Sequence, residues 1–221
     1  TKHAVSVRTQ LSKWCQQSII LSEPMAKNTA PAIAVSVKYI LDKFEDDVIL
    51  VVPSDHLIKD TKAFKKTVEE GEKLAKKGYL VTFGIKPNSA HTGYGYIKTS
   101  KMKDGLKVDE FKEKPDQKTA DKYFKSGDYY WNSGIFMFKA SVFLNELKKC
   151  AKDIYGNLQD FNFGQQDNID YNLFEKMPSI SVDYAVMEKT KNNSPFFLKC
   201  HIFILSLHPV MSEPVFKWQR Y

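Results

Sequence analysis

Five apolar residues in a row, Val48-Ile49-Leu50-Val51-Val52, break off into Pro53-Ser54-Asp55-His56. A run this short and this apolar reads as a strand buried on both faces, as in parallel sheets with helices above and below. It sets an α/β frame for the chain and directs attention past the carboxyl ends of the strands, where open α/β sheets place their ligands. Asp55 is therefore the first candidate for chemistry. On these residues alone a plainer reading stands beside it, in which Asp55 only caps or braces the following loop.

The 221 residues suffice for one domain with a proper core, or one domain plus a small appendage. The formal charge of +7 comes mostly from scattered Lys and suits anionic small molecules such as nucleotides and sugar phosphates. Nucleic acid is disfavoured, because no Lys/Arg block is interleaved with aromatics and the arginines are Arg8 and Arg220 alone. Cys15, Cys150 and Cys200 are odd in number and far apart, without a Cys-x-x-Cys pair. They indicate neither a zinc site nor a disulfide framework and suit the reducing cytoplasm. No membrane span is expected: the longest apolar candidate, Phe196 to Leu207, is interrupted by Lys199 and His201.

Along the chain, Val5, Val7, Leu11 and Trp14 suggest one helical face, and Ile19-Ile20-Leu21 suggests a short strand. Asn28 or Thr29 ahead of Pro31 is a helix start, with Ile33, Val37, Ile40, Leu41 and Phe44 on one face. Such a start either caps the helix or turns free N–H groups toward a nucleotide. After the central strand, Asp60 or Thr61 starts a second helix with Phe64, Val68, Gly71 and Ala75 inward, stopped by Gly78. Tyr79 to Ile85 is the next strand, and the alternation predicts right-handed parallel crossovers.

Thr92-Gly93-Tyr94-Gly95-Tyr96-Ile97 either brings backbone close to a ligand or makes a bulge. Val108 to Phe111 ends a strand, and Glu113 and Lys114 stand side by side before Pro115, which forces extended backbone at Lys114. They form either an exposed charged turn or a carboxylate for hydroxyls beside an ammonium for a phosphate. Thr119 to Ser126 is a helix with Tyr123 and Phe124 inward, stopped by Gly127. Tyr130 to Phe138 is a strand entered through Asn132-Ser133-Gly134, and Ala140 to Lys149 is a helix. Ser179 to Glu188 reads as a strand end turning into a helix, with Asp183 in its first turn. Residues 1–195 form one domain, and 196–221 form an unassigned aromatic tail without a period.

Six pieces in order resemble the mannose-1-phosphate guanylyltransferase (GDP-mannose pyrophosphorylase) family. The similarity is closest to the bacterial branch related to mannose-1-phosphate guanylyltransferase/mannose-6-phosphate isomerase enzymes. The pieces are Asn28-Thr29-Ala30-Pro31-Ala32-Ile33-Ala34, Pro53-Ser54-Asp55-His56, Thr92 to Ile97, Phe111-Lys112-Glu113-Lys114-Pro115-Asp116, Trp131-Asn132-Ser133-Gly134-Ile135-Phe136 and Ser181 to Glu188. The resemblance implies an incomplete Rossmann-like nucleotide-diphospho-sugar transferase fold, with a mixed, mostly parallel sheet and helices on both faces. It implies a cytoplasmic enzyme that converts GTP and mannose 1-phosphate to GDP-mannose and pyrophosphate with Mg²⁺, for polysaccharide biosynthesis. Asp55 then matches the Mg²⁺ carboxylate and Lys114 the lysine on the sugar phosphate. Gly95, Tyr96, Glu113 and Asn132 match the sugar side, Asn28 and Thr29 the nucleotide side, and Asp183 a motif near the sugar.

Two parts of the family pattern have no counterpart. These are the glycine-rich loop Gly-Gly-x-Gly-x-Arg-Leu and the Trp-x-Asp-x-Gly segment with its second metal carboxylate. The expectation is a chain truncated at both ends, with an open sheet edge that predicts lower stability or a homo-oligomer. A non-catalytic sugar-phosphate or sugar-nucleotide binder, and a transferase using UTP or dTTP, are the competing readings.

Overall fold

The structure, a computed structural model, describes residues 4–13, 15, 17–102, 105–164, 168–190 and 201–205, with 102, 105 and 201–205 as backbone alone. Trp14, Cys200 and tail residues 196–199 and 206–221 lie outside these residues. The chain divides into two compact units, residues 1–49 with 138–198, and residues 50–137 with 199–221.

The first unit is helical. It contains α1 (Ala4–Leu11), α2 (Thr29–Lys43), α5 (Ala140–Cys150), α6 (Lys152–Leu158), α7 (Tyr171–Glu175) and a π-helical turn, Asp183–Met187. Helix α1 buries no residue, so its apolar positions do not form the inward face that the sequence suggests. Ile19-Ile20-Leu21 is irregular instead of a strand, too short a run to hold a ladder by itself, and Ile19 is exposed. Helix α2 starts at the expected cap, Asn28, but Phe44 is exposed. The helix ends at Lys43 and Phe44 turns extended (φ −135°, ψ 173°), which takes its ring off the helical stripe. The buried stripe is Ala30, Ala34 and Val37, flanked by Pro31, Val35 and Tyr39. Phe143, Leu147, Ile154, Leu158 and Phe174 complete this core, and Tyr39 packs edge-on to Phe163 at 5.2 Å. Asp46 caps α5 from outside it: Ser141 donates through its N–H (2.9 Å) and Oγ (2.7 Å).

The second unit is built on a six-stranded sheet in the order β1-β5-β2-β6-β4-β3. The strands are β1 (Val48–Val51), β2 (Val81–Ile85), β3 (Tyr96–Met102), β4 (Gly105–Lys112), β5 (Tyr129–Lys139) and β6 (His201–Leu205), joined by α3 (Thr61–Lys76) and α4 (Gln117–Ser126). Strand β6 brings part of the unassigned tail into the sheet beside β2.

The expectation of a mostly parallel sheet is corrected here. The β2–β5, β3–β4, β3–β5 and β4–β6 pairings are antiparallel, and β2–β6 is parallel. The strand–helix alternation that suggests crossovers stops at β2. Beyond it, β3 and β4 join through residues 103–104, and so short a link permits only an antiparallel return, because a parallel one needs about a dozen residues. The β1 residues are half-buried and Val52 is exposed, so the apolar run is not covered on both faces among the described residues. In α4, Tyr123 turns inward against Tyr96 and Tyr129, while Phe124 is exposed. Ser179 to Val182 forms no strand, but Asp183 does open the helical turn.

Candidate functional site

The sheet unit brings Gly95, Glu113 and Asn132 to one point. Gly95 lies just before β3, and its carbonyl accepts the N–H of Asn132 at 2.7 Å. A Cβ on Gly95 would land on Glu113 Oε2 and lie 3.3 Å from Asn132 Cβ. Glycine is thus what lets a carboxylate and a carboxamide flank this backbone.

Glu113 and Lys114 follow the end of β4. Neighbours in regular extended backbone point to opposite faces. Here Lys114 takes φ 43°, so the chain turns back, and its Nζ donates to Glu113 Oε1 at 2.6 Å. The Glu113 side chain is 11% exposed and that of Lys114 63%. The pair therefore offers a sheltered carboxylate beside an open ammonium. Left-handed backbone costs a non-glycine residue about 1–2 kcal/mol. Among the described residues two non-glycines have positive φ, Lys114 and Asn28 at φ 68°. Both are positions that the sequence marks as candidates, and strain of this kind clusters where ligands are clamped.

Asn132 sits where β5 departs from regular pairing. Thr82 pairs with Phe136 and Gly84 with Asn132, so three β5 residues oppose Phe83 alone. The bulge is closed by its own side chains. Ser133 Oγ donates to the Phe83 carbonyl at 2.5 Å and accepts the Ile135 N–H at 3.2 Å. Gly134 takes φ 70°, and a Cβ there would lie 3.5 Å from Pro53 Cγ. The loop that carries Asp55 therefore rests on the same bulge. Asp55 itself is exposed in the turn after β1.

Tyr96 is placed differently from these residues. It is fully buried, and its hydroxyl donates to the His91 carbonyl at 2.9 Å, so its side chain serves the core.

The helical unit gathers Asn28, Thr29 and Asp183. The Asn28 side chain accepts the N–H of Thr29 at 2.8 Å, with ψ −174° at Asn28 itself. Ile180 N–H donates to the Lys27 carbonyl (3.2 Å), Ala30 N–H to the Ile180 carbonyl (3.1 Å) and Val182 N–H to Thr29 Oγ1 (2.9 Å). These bonds tie the start of α2 to the segment that enters Asp183.

Sequence reasoning passed over Glu23. Its Oε1 is buried with no hydrogen-bond partner among the described residues, and burial pushes its carboxyl above the ordinary range. The available signal was a carboxylate inside the largely apolar stretch Ile19 to Met25. Thr82 and Ser133, both buried polar residues within apolar strands, were also passed over.

Among the described residues no group of three or more His, Cys, Asp or Glu side chains could hold a metal by itself. The donor set at Asp55 is one hard, exposed carboxylate. It fits a hard divalent cation that arrives with ligand phosphates and keeps its remaining water, as Mg²⁺ commonly does. No described helix is long and apolar enough to cross a membrane.

The nucleotidyl transferase family model matches residues 1–176. The chain is similar to the xanthan biosynthesis protein XanB of Xanthomonas campestris pv. campestris (strain B100), 47% identical over 181 residues, covering 78% of this chain and 38% of that protein. It is similar to the mannose-1-phosphate guanylyltransferase RfbM of Salmonella typhimurium, 47% identical over 185 residues with the same coverage of each chain. Among solved structures it is similar to one named mannose-6-phosphate isomerase from Helicobacter pylori. The TM-score is 0.78 at 34% identity, over 93% of this chain and 79% of that one. The chain thus spans about two fifths of the length of these curated relatives.

Proposed function

The chain belongs to the nucleotidyl transferase family, and on that premise we propose that it acts in the transfer of GMP from GTP to mannose 1-phosphate. The convergence of Glu113 and Asn132 on Gly95, with the Lys114 ammonium beside them, carries this reading. A carboxylate acceptor and a carboxamide suit vicinal sugar hydroxyls, each of which both donates and accepts. An open ammonium one residue away suits the phosphate attached to that sugar. The name of RfbM supports mannose 1-phosphate as the sugar, and that of XanB supports a place in polysaccharide biosynthesis.

In the proposed reaction an oxygen of the sugar phosphate attacks the α-phosphorus of GTP. The bond from that phosphorus to the bridging oxygen breaks, and pyrophosphate leaves. Such a displacement needs positioning and charge stabilisation more than a protein acid or base. Glu113 and Asn132 orient the sugar, and Lys114 draws its phosphate in and offsets the charge repulsion as two anions meet. Asn28 and Thr29 belong to the nucleotide side, and Asp183 to a segment near the sugar. The unpartnered Glu23 oxygen suits the N1–H and N2–H donors of guanine, which adenine lacks in that arrangement. Asp55 would hold Mg²⁺, which when bound supplies positive charge to the phosphates. A reducing, cytoplasmic setting accords with the free thiols of Cys15 and Cys150.

The test is GDP-mannose and pyrophosphate production by the purified chain from GTP, mannose 1-phosphate and Mg²⁺. Asp55→Ala and Lys114→Met should each lower turnover by about 100-fold or more. A folded chain that neither turns over nor binds mannose 1-phosphate overturns the reading.

A further inference from the structure

We propose that Tyr123, Tyr129 and Glu110 are positioning residues that pin α4 to the sheet and so hold Lys114 in its left-handed turn. The inference rests on the reading above for what Lys114 does and on one cross-strand row for its geometry. Local sequence opposes the turn. Positive φ is costly for a residue with a Cβ, and Pro115 favours extended backbone at the residue before it, yet Lys114 has φ 43°. Strained backbone persists only where the surroundings over-determine it, so the turn has to be held at both ends. Upstream, β4 does this: Phe111 pairs with Ile97 and Lys112 with Tyr96. Downstream stand the buried Pro115 and α4, whose cap Asp116 accepts the Thr119 N–H at 2.7 Å. A helix of 10 residues is too short to hold itself, and α4 buries Ala120 alone. Its anchor is therefore tertiary.

Tyr123 supplies that anchor. Its ring stacks on that of Tyr129 at 3.8 Å and 15°, and lies 5.4 Å from that of Tyr96. Tyr129 is in turn fixed within the sheet. Lys98 pairs with Glu110 on one side and with Tyr129 on the other, so the three residues form one row across β4, β3 and β5. Residues directly opposite one another share a face of the sheet. The Tyr129 hydroxyl spans the row and donates to Glu110 Oε2 at 3.3 Å, and Lys98 Nζ lies 6.0 Å from the centre of the Tyr129 ring. Burial first and the Glu110 charge second push both phenols above their ordinary value, so both remain donors beside the carboxylate. Gln117 adds a tether at the start of α4, donating from Nε2 to the Ala90 carbonyl at 3.1 Å. Glu110 precedes the Lys114 turn on β4 and Tyr123 follows it on α4, so the row closes a loop that contains the turn.

A double-mutant cycle in urea unfolding tests the inference without any ligand. Lys114→Gly accepts positive φ without strain. In the parent chain, loosening α4 lets the turn relax, and part of the left-handed cost is recovered. In Lys114→Gly there is nothing to recover. Tyr123→Leu removes the stack, and Tyr129→Phe keeps it but releases Glu110. Each should therefore raise the unfolding constant more in Lys114→Gly than in the parent, by an excess of about 3–10-fold. Equal effects in the two backgrounds overturn the inference, and Tyr129→Phe carries the cycle if Tyr123→Leu does not fold. Calorimetric titration reads the consequence for ligands. Both variants should weaken mannose 1-phosphate binding by about 3–10-fold and leave GTP binding within about twofold. Equal weakening of both ligands, or of neither, overturns the positioning role. If the parent chain does not bind mannose 1-phosphate, the functional reading fails, and the cycle still decides what holds the turn.

Discussion

The backbone N–H of Val182 donates to Thr29 Oγ1 at 2.9 Å. Val182 is buried, so this N–H has no water to turn to if its acceptor is removed. One threonine therefore joins the start of α2 to the turn that begins at Asp183.

Thr29→Val keeps the shape and removes the acceptor. The orphaned donor should cost about 1–3 kcal/mol in urea unfolding. Thr29→Ser should stay within about 0.5 kcal/mol of the parent. Equal stability of the valine and serine variants would show that the bond contributes nothing.

Gly95→Ala places a methyl against Glu113 Oε2 and close to Asn132 Cβ. The Glu113 carboxylate ends a flexible side chain and can swing away, so the fold tolerates the change. The displaced carboxylate, however, no longer flanks the proposed sugar position. We expect a thermal midpoint within a few degrees of the parent and at least about tenfold weaker mannose 1-phosphate binding, since a charged hydrogen bond is worth about 1.5–3 kcal/mol. Unchanged binding by calorimetry would separate Glu113 from the sugar.

Asn28 holds φ 68° and ψ −174°, a region that belongs almost solely to glycine. Asn28→Gly should relieve backbone strain of about 1–3 kcal/mol while losing the bond from the Thr29 N–H, for a net gain near 1 kcal/mol. Guanidinium unfolding measures it. A gain in stability with a fall in GTP affinity would mean that the strained asparagine serves the ligand. A loss of stability would mean that the side-chain bond outweighs the strain.

Burial raises the Glu23 carboxyl above its ordinary value of 4.5. Between that value and the raised one, the folded chain holds more proton than the unfolded chain. Stability that is fully present below pH 4.5 therefore declines as pH rises through the folded pKa. Glu23→Gln removes this penalty. Its stability relative to the parent should improve from pH 4 to pH 7, as read by urea midpoints. The same substitution should weaken GTP binding, because the glutamine turns one acceptor into a donor facing the guanine donors. A stability difference that does not change with pH would remove Glu23 as a buried titrating group.

Much of the scaffold was legible in the sequence because its causes are local. Asn28, Asp60 and Gly127 act within a turn or so of their own positions, and they start or stop helices where the residue types say they should. Periodicity placed α3, β2, β5 and α5 for the same reason, since each is written in neighbours a few residues apart. The candidate residues Asn28, Thr29, Glu113, Lys114 and Asn132 came from motifs in short windows. What those windows could not hold was the partner on another strand.

Tertiary structure alone decided the rest. Strand direction depended on a link as short as residues 103–104 and on β5 serving both β2 and β3. The need for glycine at position 95 exists only because Glu113, just past the end of β4, and Asn132, on β5, arrive there from distant parts of the chain. The backbone turn at Lys114 reversed the opposite-face rule that a regular strand would obey. Thr82 and Asn132 lie 50 residues apart, and nothing in either neighbourhood foretells that one hydroxyl meets the other's carboxamide. The burial of the Glu23 oxygen is likewise a property of what packs around it. A sequence fixes the residue types and their local geometry. Which donor faces which acceptor across strands is set by packing, because it depends on residues that the chain brings together only when it folds.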